Sequence, residues 1–213
     1  MTGLLLNRVH YPVTTLGPGR RAGIWVQGCT IGCDGCVARD TWDGGSASPV
    51  EVAEVLEWLA SVRDGMTGVT VSGGEPFQQP EALAELLRGI RARRAGPPID
   101  VLVYSGYPMS RLRRDAAARR VLELCDAVIA GPYLARRPTD RPWLGSANQR
   151  LVPLTPLGEE RYAAPPPDAP RMQVVQNGNR VWFVGVPRDG EMERMADRLN
   201  ELGITFDEAT WRA

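Results

Sequence analysis

The chain has 213 residues and a formal net charge of zero, and all 25 of its basic residues are arginine. Such a balance gives no general attraction to nucleic acid or to a membrane surface, and the absence of lysine excludes Schiff-base chemistry. The length fits one domain, with room for a small appendage and a substantial core. Four cysteines, three of them bunched, do not make a disulfide framework. The opening MTGLLLNRVHY is too short an apolar run for a signal peptide, and no stretch is long enough to span a bilayer. The cytoplasm is the expected compartment.

In chain order, residues 1–20 are mixed, and LGPGR reads as a turn that delivers the chain to a first strand, Gly23 to Val26. A glycine-rich loop with Cys29, Cys33 and Cys36 follows. Ser48-Pro49-Val50-Glu51 reads as a capped helix start, with Ser48 as N-cap and Pro49 at the first helical position. Val52, Val55, Leu56 and Leu59 then recur at helical spacing. GVTVS (68–72) is a buried strand ending in GGEP. A second helix starts near Pro80 with Leu83, Leu86, Leu87 and Ile90 on one face, and RARR (91–94) suits its carboxyl end.

The rhythm continues with a strand at 99–104, a helix from Ser110 to Leu124 and a strand at 126–130. Strand–helix repetition of this kind implies a parallel sheet with helices outside. Five or six units fit before residue 155, too few for a closed eightfold barrel. The expected fold class is therefore α/β: an open partial (β/α) barrel of about six units over 1–157. A proline-rich linker is expected at 158–170, with little regular packing from Pro153 onward. A small C-terminal extension, 171–213, reads as a hairpin turning at Asn177-Gly178 and a helix, Glu191 to Leu202, along Met192, Met195, Leu199 and Leu202. This tail is expected to dock on its own barrel as a lid, or on a partner.

Cys29, Cys33 and Cys36 are spaced C-x3-C-x2-C, with Gly28, Gly32 and Gly35 letting the backbone fold the thiols together. Three thiolates suit a [4Fe–4S] cluster with one open iron, since an electron-carrying cluster normally takes four protein ligands. A structural zinc also wants four. Two plainer readings stand beside this one: thiols packed in a core, or zinc with His10 as fourth ligand.

Further motifs follow in order: GPGR (17–20), VQGC (26–29), TWD (41–43), SGGEP (72–76), YSGY (104–107), GPY (131–133) and GSANQR (145–150). Together they resemble the radical S-adenosylmethionine (SAM) superfamily. Within it they resemble the group that activates anaerobic ribonucleotide reductase and, more loosely, pyruvate formate-lyase, over about residues 14 to 152. Gly35 fits the group's small residue before its last cysteine, while Asp34 departs from the proline expected there. The resemblance implies that Cys29, Cys33 and Cys36 hold the cluster. It implies that Gly73, Gly74 and Glu75 meet the SAM amino group, with Gly35, Tyr104 and Ser105 near its adenine or ribose and Arg150 at its carboxylate or at a partner's chain terminus. The plainer readings are a strand-to-helix turn for GGEP, a core tyrosine, a turn serine and an ordinary ion pair. Cys125 reads as a buried small hydrophobe. Trp42 and Asp43 would wall the cysteine loop, with no catalytic role.

The implied activity is reductive cleavage of SAM to a 5′-deoxyadenosyl radical, used to form a glycyl radical on a partner enzyme. A reducing donor such as flavodoxin or ferredoxin would supply the electron. A radical SAM enzyme acting on a peptide or small molecule, or one resembling the deazaguanine synthases, is the alternative reading. An iron–sulfur protein without catalysis is a third.

Overall fold

A computed structural model describes residues 2–92, 97–164, 169–206 and 208–211. The chain opens with β1 (Gly3–Val13), where sequence patterning suggested no regular element, and β2 (Arg21–Val26) returns antiparallel to it. β1 escaped notice because most of its residues are only half-buried and their polarity does not alternate. The expected cap at Ser48 is also corrected. Pro49–Glu51 forms β3, an antiparallel edge strand on β1, and helix α1 (Val52–Ser61) starts after it. Tertiary pairing of that segment with Gly3–Leu5 overrides the local helix-start signal.

The remaining elements are β4 (Gly68–Gly73), α2 (Pro80–Ala92), β5 (Asp100–Ser105), α3 (Met109–Arg114), α4 (Ala116–Leu122), β6 (Ala127–Ala130), β7 (Arg150–Pro153), α5 (Pro156–Tyr162), β8 (Met172–Asn177), β9 (Arg180–Gly185) and α6 (Glu191–Glu201). Seven strands form one sheet in the order β3-β1-β2-β4-β5-β6-β7. Its four central strands β2, β4, β5 and β6 are parallel, and the strands beyond them pair antiparallel. The mixed α/β class with a parallel centre and outer helices is as expected. The count of about six strand–helix units is not, because antiparallel strands take the places of the outer units.

The central strands are buried on both faces, as parallel strands must be. Ile24, Val26, Val69, Val71, Val101, Val103 and Val128 pack against Val55, Leu59, Leu83, Leu86, Leu87 and Val121 of the helices. Leu102, Ala127 and Ile129 point the other way, onto Trp143, Leu144 and Tyr162. Trp25 on the same face meets Val13, Leu16 and Val184, so the C-terminal hairpin packs directly on the sheet. Thr15 Oγ donates to the Val184 carbonyl at 2.9 Å, and Gln173 Nε2 donates to Pro12 O at 2.8 Å.

Three smaller expectations change. The helix read as 110–124 is two helices, since Asp115 takes an extended conformation and caps α4 by accepting from Ala118 N at 2.8 Å. The connection after Pro153 contains α5, capped by Thr155 and anchored by the buried Tyr162. Leu202 falls beyond α6 and is 64% exposed. The hairpin strands and α6 itself lie where the sequence suggested. Arg93, Arg94 and Pro165 to Pro167 lie outside the described residues.

Candidate functional site

Parallel strands bring their carboxyl ends to one edge, and four loops meet there: the cysteine loop after β2, GGEP after β4, Gly106-Tyr107 after β5 and Gly131-Pro132-Tyr133 after β6. Open sheets of this class place their chemistry at that edge.

The cysteine loop is held at both ends. Gly28 N donates to Thr41 O at 2.8 Å and Cys29 N to Trp42 O at 2.9 Å. Beneath them the buried Gln27 works as a clamp. Its Nε2 donates to Asp40 O, Asp43 O and Ser46 Oγ, while its Oε1 accepts from Asn7 Nδ2. Gln79 clamps from the other side, donating to Leu5 O and Gln27 O and accepting from Leu5 N. Gln78 ties Thr30 of the loop to the Tyr107 hydroxyl. Ile31 packs against Gly106 closely enough that a Cβ there would lie 2.6 Å from its Cδ1. None of the three glutamines carries a metal- or acid-type signal, so sequence reasoning gave them no role.

Cys29, Cys33 and Cys36 are all free thiols on this one loop and all half-buried. Burial raises the Cys33 thiol most, with Cys36 and Cys29 adding to it and a Tyr133 backbone hydrogen bond pulling it down. Burial raises Cys36 likewise, against the Ala38 backbone, the Trp42 side chain and the Arg39 charge. Trp42, read as a mere wall, is therefore a sulfur contact, and Arg39 stacks 5.6 Å from its ring. Cys125 is buried elsewhere, its thiol directed to Val121 O at 3.2 Å. His10 sits on β1 opposite Gly23 with Trp182 edge-on at 6.2 Å. Among the described residues no three Cys, His, Asp or Glu side chains stand in a metal-cage geometry. The loop presents its thiols without closing them, which is usual where metal binding orders the ligands.

At GGEP the glycines are required, and the group that approaches them is the chain itself. A Cβ on Gly73 would lie 2.5 Å from Val26 O, and one on Gly74 would lie 2.2 Å from Gly28 O. Gly74 N and Glu75 N donate to those same two carbonyls. Glu75 is fully buried; its Oε1 accepts from Phe77 N and Ser105 Oγ, and its Oε2 accepts from Gly106 N at 2.7 Å. Burial pushes its carboxyl up to about 7 despite those donors. Glu75 and Ser105 are thus brought together, as a tie between two strand ends.

The remaining candidates are spread along the rim. Gly35 has φ +74, and a Cβ there would come 3.3 Å from the Tyr133 ring. Tyr104 donates its hydroxyl to Trp143 O at 3.1 Å, the arrangement of a core tyrosine. Arg150 is exposed at the start of β7, opposite Ala130. Beside it Asn148 donates to Pro132 O, while its Oδ1 is buried without a hydrogen-bond partner among the described residues. Tyr133 and Trp42 belong to motifs noted in the sequence; what could not be read there was that both reach the thiols.

The donor set fits a [4Fe–4S] cluster with an open iron: three thiols on one loop with, among the described residues, no histidine or acid completing a cage, and an acceptor at Asn148 Oδ1 on the same rim. The sequence matches the family described as a 4Fe-4S single cluster domain over residues 15–152. It is 32% identical over 157 residues to an anaerobic ribonucleoside-triphosphate reductase-activating protein of Pasteurella multocida, covering 70% of this chain and 99% of the relative. Proteins of the same name from Escherichia coli K12 and from phage T4 are each 31% identical, over 66% and 63% of this chain and 93% and 85% of their own lengths. The chain belongs to this activating-protein family of radical SAM enzymes. The ordered motifs from GPGR to GSANQR therefore carried a true resemblance, and the matched span agrees with the one they define. The activating proteins' shared core ends near residue 152, so the hairpin and α6 lie beyond the family match.

Proposed function

We propose that the chain generates a glycyl radical on a partner enzyme of the anaerobic ribonucleotide reductase type, using SAM and a [4Fe–4S] cluster on Cys29, Cys33 and Cys36. The observation that carries this is the thiol loop docked, by backbone and glutamine clamps, onto the GGEP turn. The cluster, when bound, supplies the electron that cleaves SAM to a 5′-deoxyadenosyl radical, with a flavodoxin- or ferredoxin-type donor upstream. The chain's own residues hold and shield. Cys29, Cys33 and Cys36 give up their protons to ligate iron, and Trp42 and the Tyr133 backbone donate to the sulfurs. Glu75, through Ser105 and Gly106, fixes the turn on which Gly73 and Gly74 offer backbone groups to the SAM ammonium. Asn148 Oδ1 is an acceptor for a ligand donor, and exposed Arg150 is available to a carboxylate. Gly35 lets the loop pass close beneath the Tyr133 ring, where a Cβ would come 3.3 Å from it.

The test is anaerobic reconstitution. The parent and Cys125→Ala should take up about four irons per chain, by the stoichiometry of a three-thiolate site, and Cys29→Ala, Cys33→Ala and Cys36→Ala should not. Stoichiometric zinc without iron in anaerobically purified protein would overturn the reading. Reduced parent protein should then release 5′-deoxyadenosine from SAM. With a glycyl-radical partner it should give a glycyl signal in electron paramagnetic resonance.

A second reading has its own support. The extension packs on the sheet face that bears Trp25 and lies beyond the matched family core. A peptide or small-molecule substrate enclosed there is the competing use of the same radical, and absence of a glycyl signal with active cluster would favour it.

A further inference from the structure

The C-terminal tail does not end on the hairpin. Beyond α6 it returns to the cysteine loop, where Thr210 Oγ donates to the carbonyl of Val37, the residue directly after Cys36. Phe206 and Trp211 on either side of Thr210 are held by Phe183 of β9. The three rings pack edge-to-face with centroids 5.7 to 6.1 Å apart. That arrangement is the preferred one for aromatic rings. The Trp211 Nε1 is buried with no acceptor among the described residues, and the ring is packed on Phe183 and Phe206. β9 is itself fastened to the sheet, since its Trp182 and Val184 face Val13, Leu16 and Trp25. The strap is thus anchored to the core at one end and to the loop at the other. The extension also reaches the loop from a second side. Tyr133, whose ring stands against Gly35, shares a cleft of about 360 Å³ with Pro187, Arg188 and Asp189.

We propose that Thr210 is a positioning residue of the cysteine loop, tying the Val37 carbonyl to a tail that Phe206 and Trp211 anchor on Phe183. The role rests on the cluster reading above and adds to it. A cluster with an open iron is vulnerable to oxygen and to competing ligands, and a loop that swings open exposes it further. Tying the Val37 carbonyl limits how far the loop can swing out.

The experiment compares holoenzymes. Parent, Thr210→Val, Thr210→Ser and a chain ending at Gly203 are reconstituted without oxygen, then exposed to air or to a ferrous chelator while the cluster absorbance is followed. Thr210→Val should lose its cluster roughly fivefold faster, the factor that one net hydrogen bond is worth. Thr210→Ser should match the parent, and the shortened chain should be the fastest. Equal rates in parent, Thr210→Val and the shortened chain overturn the proposal. Amide exchange of the metal-free chains gives a readout that needs no iron. Exchange at residues 36–38 should quicken in the shortened chain, and unchanged exchange overturns the contact itself. A parent that takes up no iron but shows this exchange difference overturns the cluster reading and leaves the strap standing as a loop clamp.

Discussion

At the scale of single residues, Glu75 shows how burial and hydrogen bonding oppose each other. Three donors favour its ionised form, yet desolvation is larger and lifts it from 4.5 to about 7. A carboxyl raised on folding holds its proton longer than the unfolded chain does. Stability from this group is therefore unimpaired below about pH 4.5, falls as pH rises, and is fully lost above about 7. The shift corresponds to roughly 3 kcal/mol. The metal-free chain should melt lower at pH 8 than at pH 5, and Glu75→Gln should flatten that dependence, as followed by calorimetry at both pH values. An identical slope in the variant would assign the effect to other groups.

At the scale of elements, Gln27 closes the loop after β2 on itself and ties it to β1. This buried amide satisfies two carbonyls and a hydroxyl on the returning segment 40–46, and accepts from Asn7 on β1. Leucine is similar in size but donates nothing, and a buried polar group left without its partner costs about 1–3 kcal/mol. Gln27→Leu should therefore lower the unfolding free energy in denaturant by that order and reduce iron uptake, although it removes no ligand. Full iron content in a stable Gln27→Leu protein would show that the loop is held by other contacts. The neighbouring Asp43, which caps a short turn by accepting from Gly45 N at 2.8 Å, is the milder counterpart, since one cap is worth about 1 kcal/mol.

At the scale of the whole molecule, the edge of the sheet opposite the site is closed by a buried ionic knot. Arg21 at the start of β2 meets Asp100 at the start of β5 at 2.7 Å, with both side chains fully buried. Arg161 and Tyr162 of α5 bind the same carboxylate, and Thr70 accepts from Arg21 Nε. Burial pushes Asp100 up, but the Arg21 charge and hydrogen bonds, then Tyr162 and Arg161, outweigh it and hold the carboxyl below its ordinary value. Its stabilisation is present above pH 3.8, the ordinary value, and lost as pH falls below that. Asp100→Asn would leave Arg21 buried without a counter-charge and should cost about 3–5 kcal/mol, measured by denaturant unfolding. The cysteine loop lies at the far ends of the same strands, so iron uptake by whatever fraction stays folded should be unchanged.

The sequence by itself determined the chemistry: three thiols at C-x3-C-x2-C, the ordered motifs after them, and the strand ends that carry those motifs. These were legible because ligand type and glycine placement are local, and because hydrophobic runs such as GVTVS and DVLVY announce buried strands without help from the rest of the chain. Only the tertiary structure decided that β1 and β3 are strands, that Asp115 divides a helix and that α5 orders part of the proline-rich connection. The strands and α5 depend on partners distant in sequence, Gly3–Leu5 for Pro49–Glu51 and Asp100 for Tyr162, while Asp115 caps α4 locally on Ala118. The same holds for the glutamine clamps, the Trp42 and Tyr133 contacts to sulfur, and the return of Thr210 to Val37. Amide, indole and hydroxyl groups carry no signature of a site in a linear chain. Their role is set by which buried carbonyl or thiol the fold brings within hydrogen-bond reach.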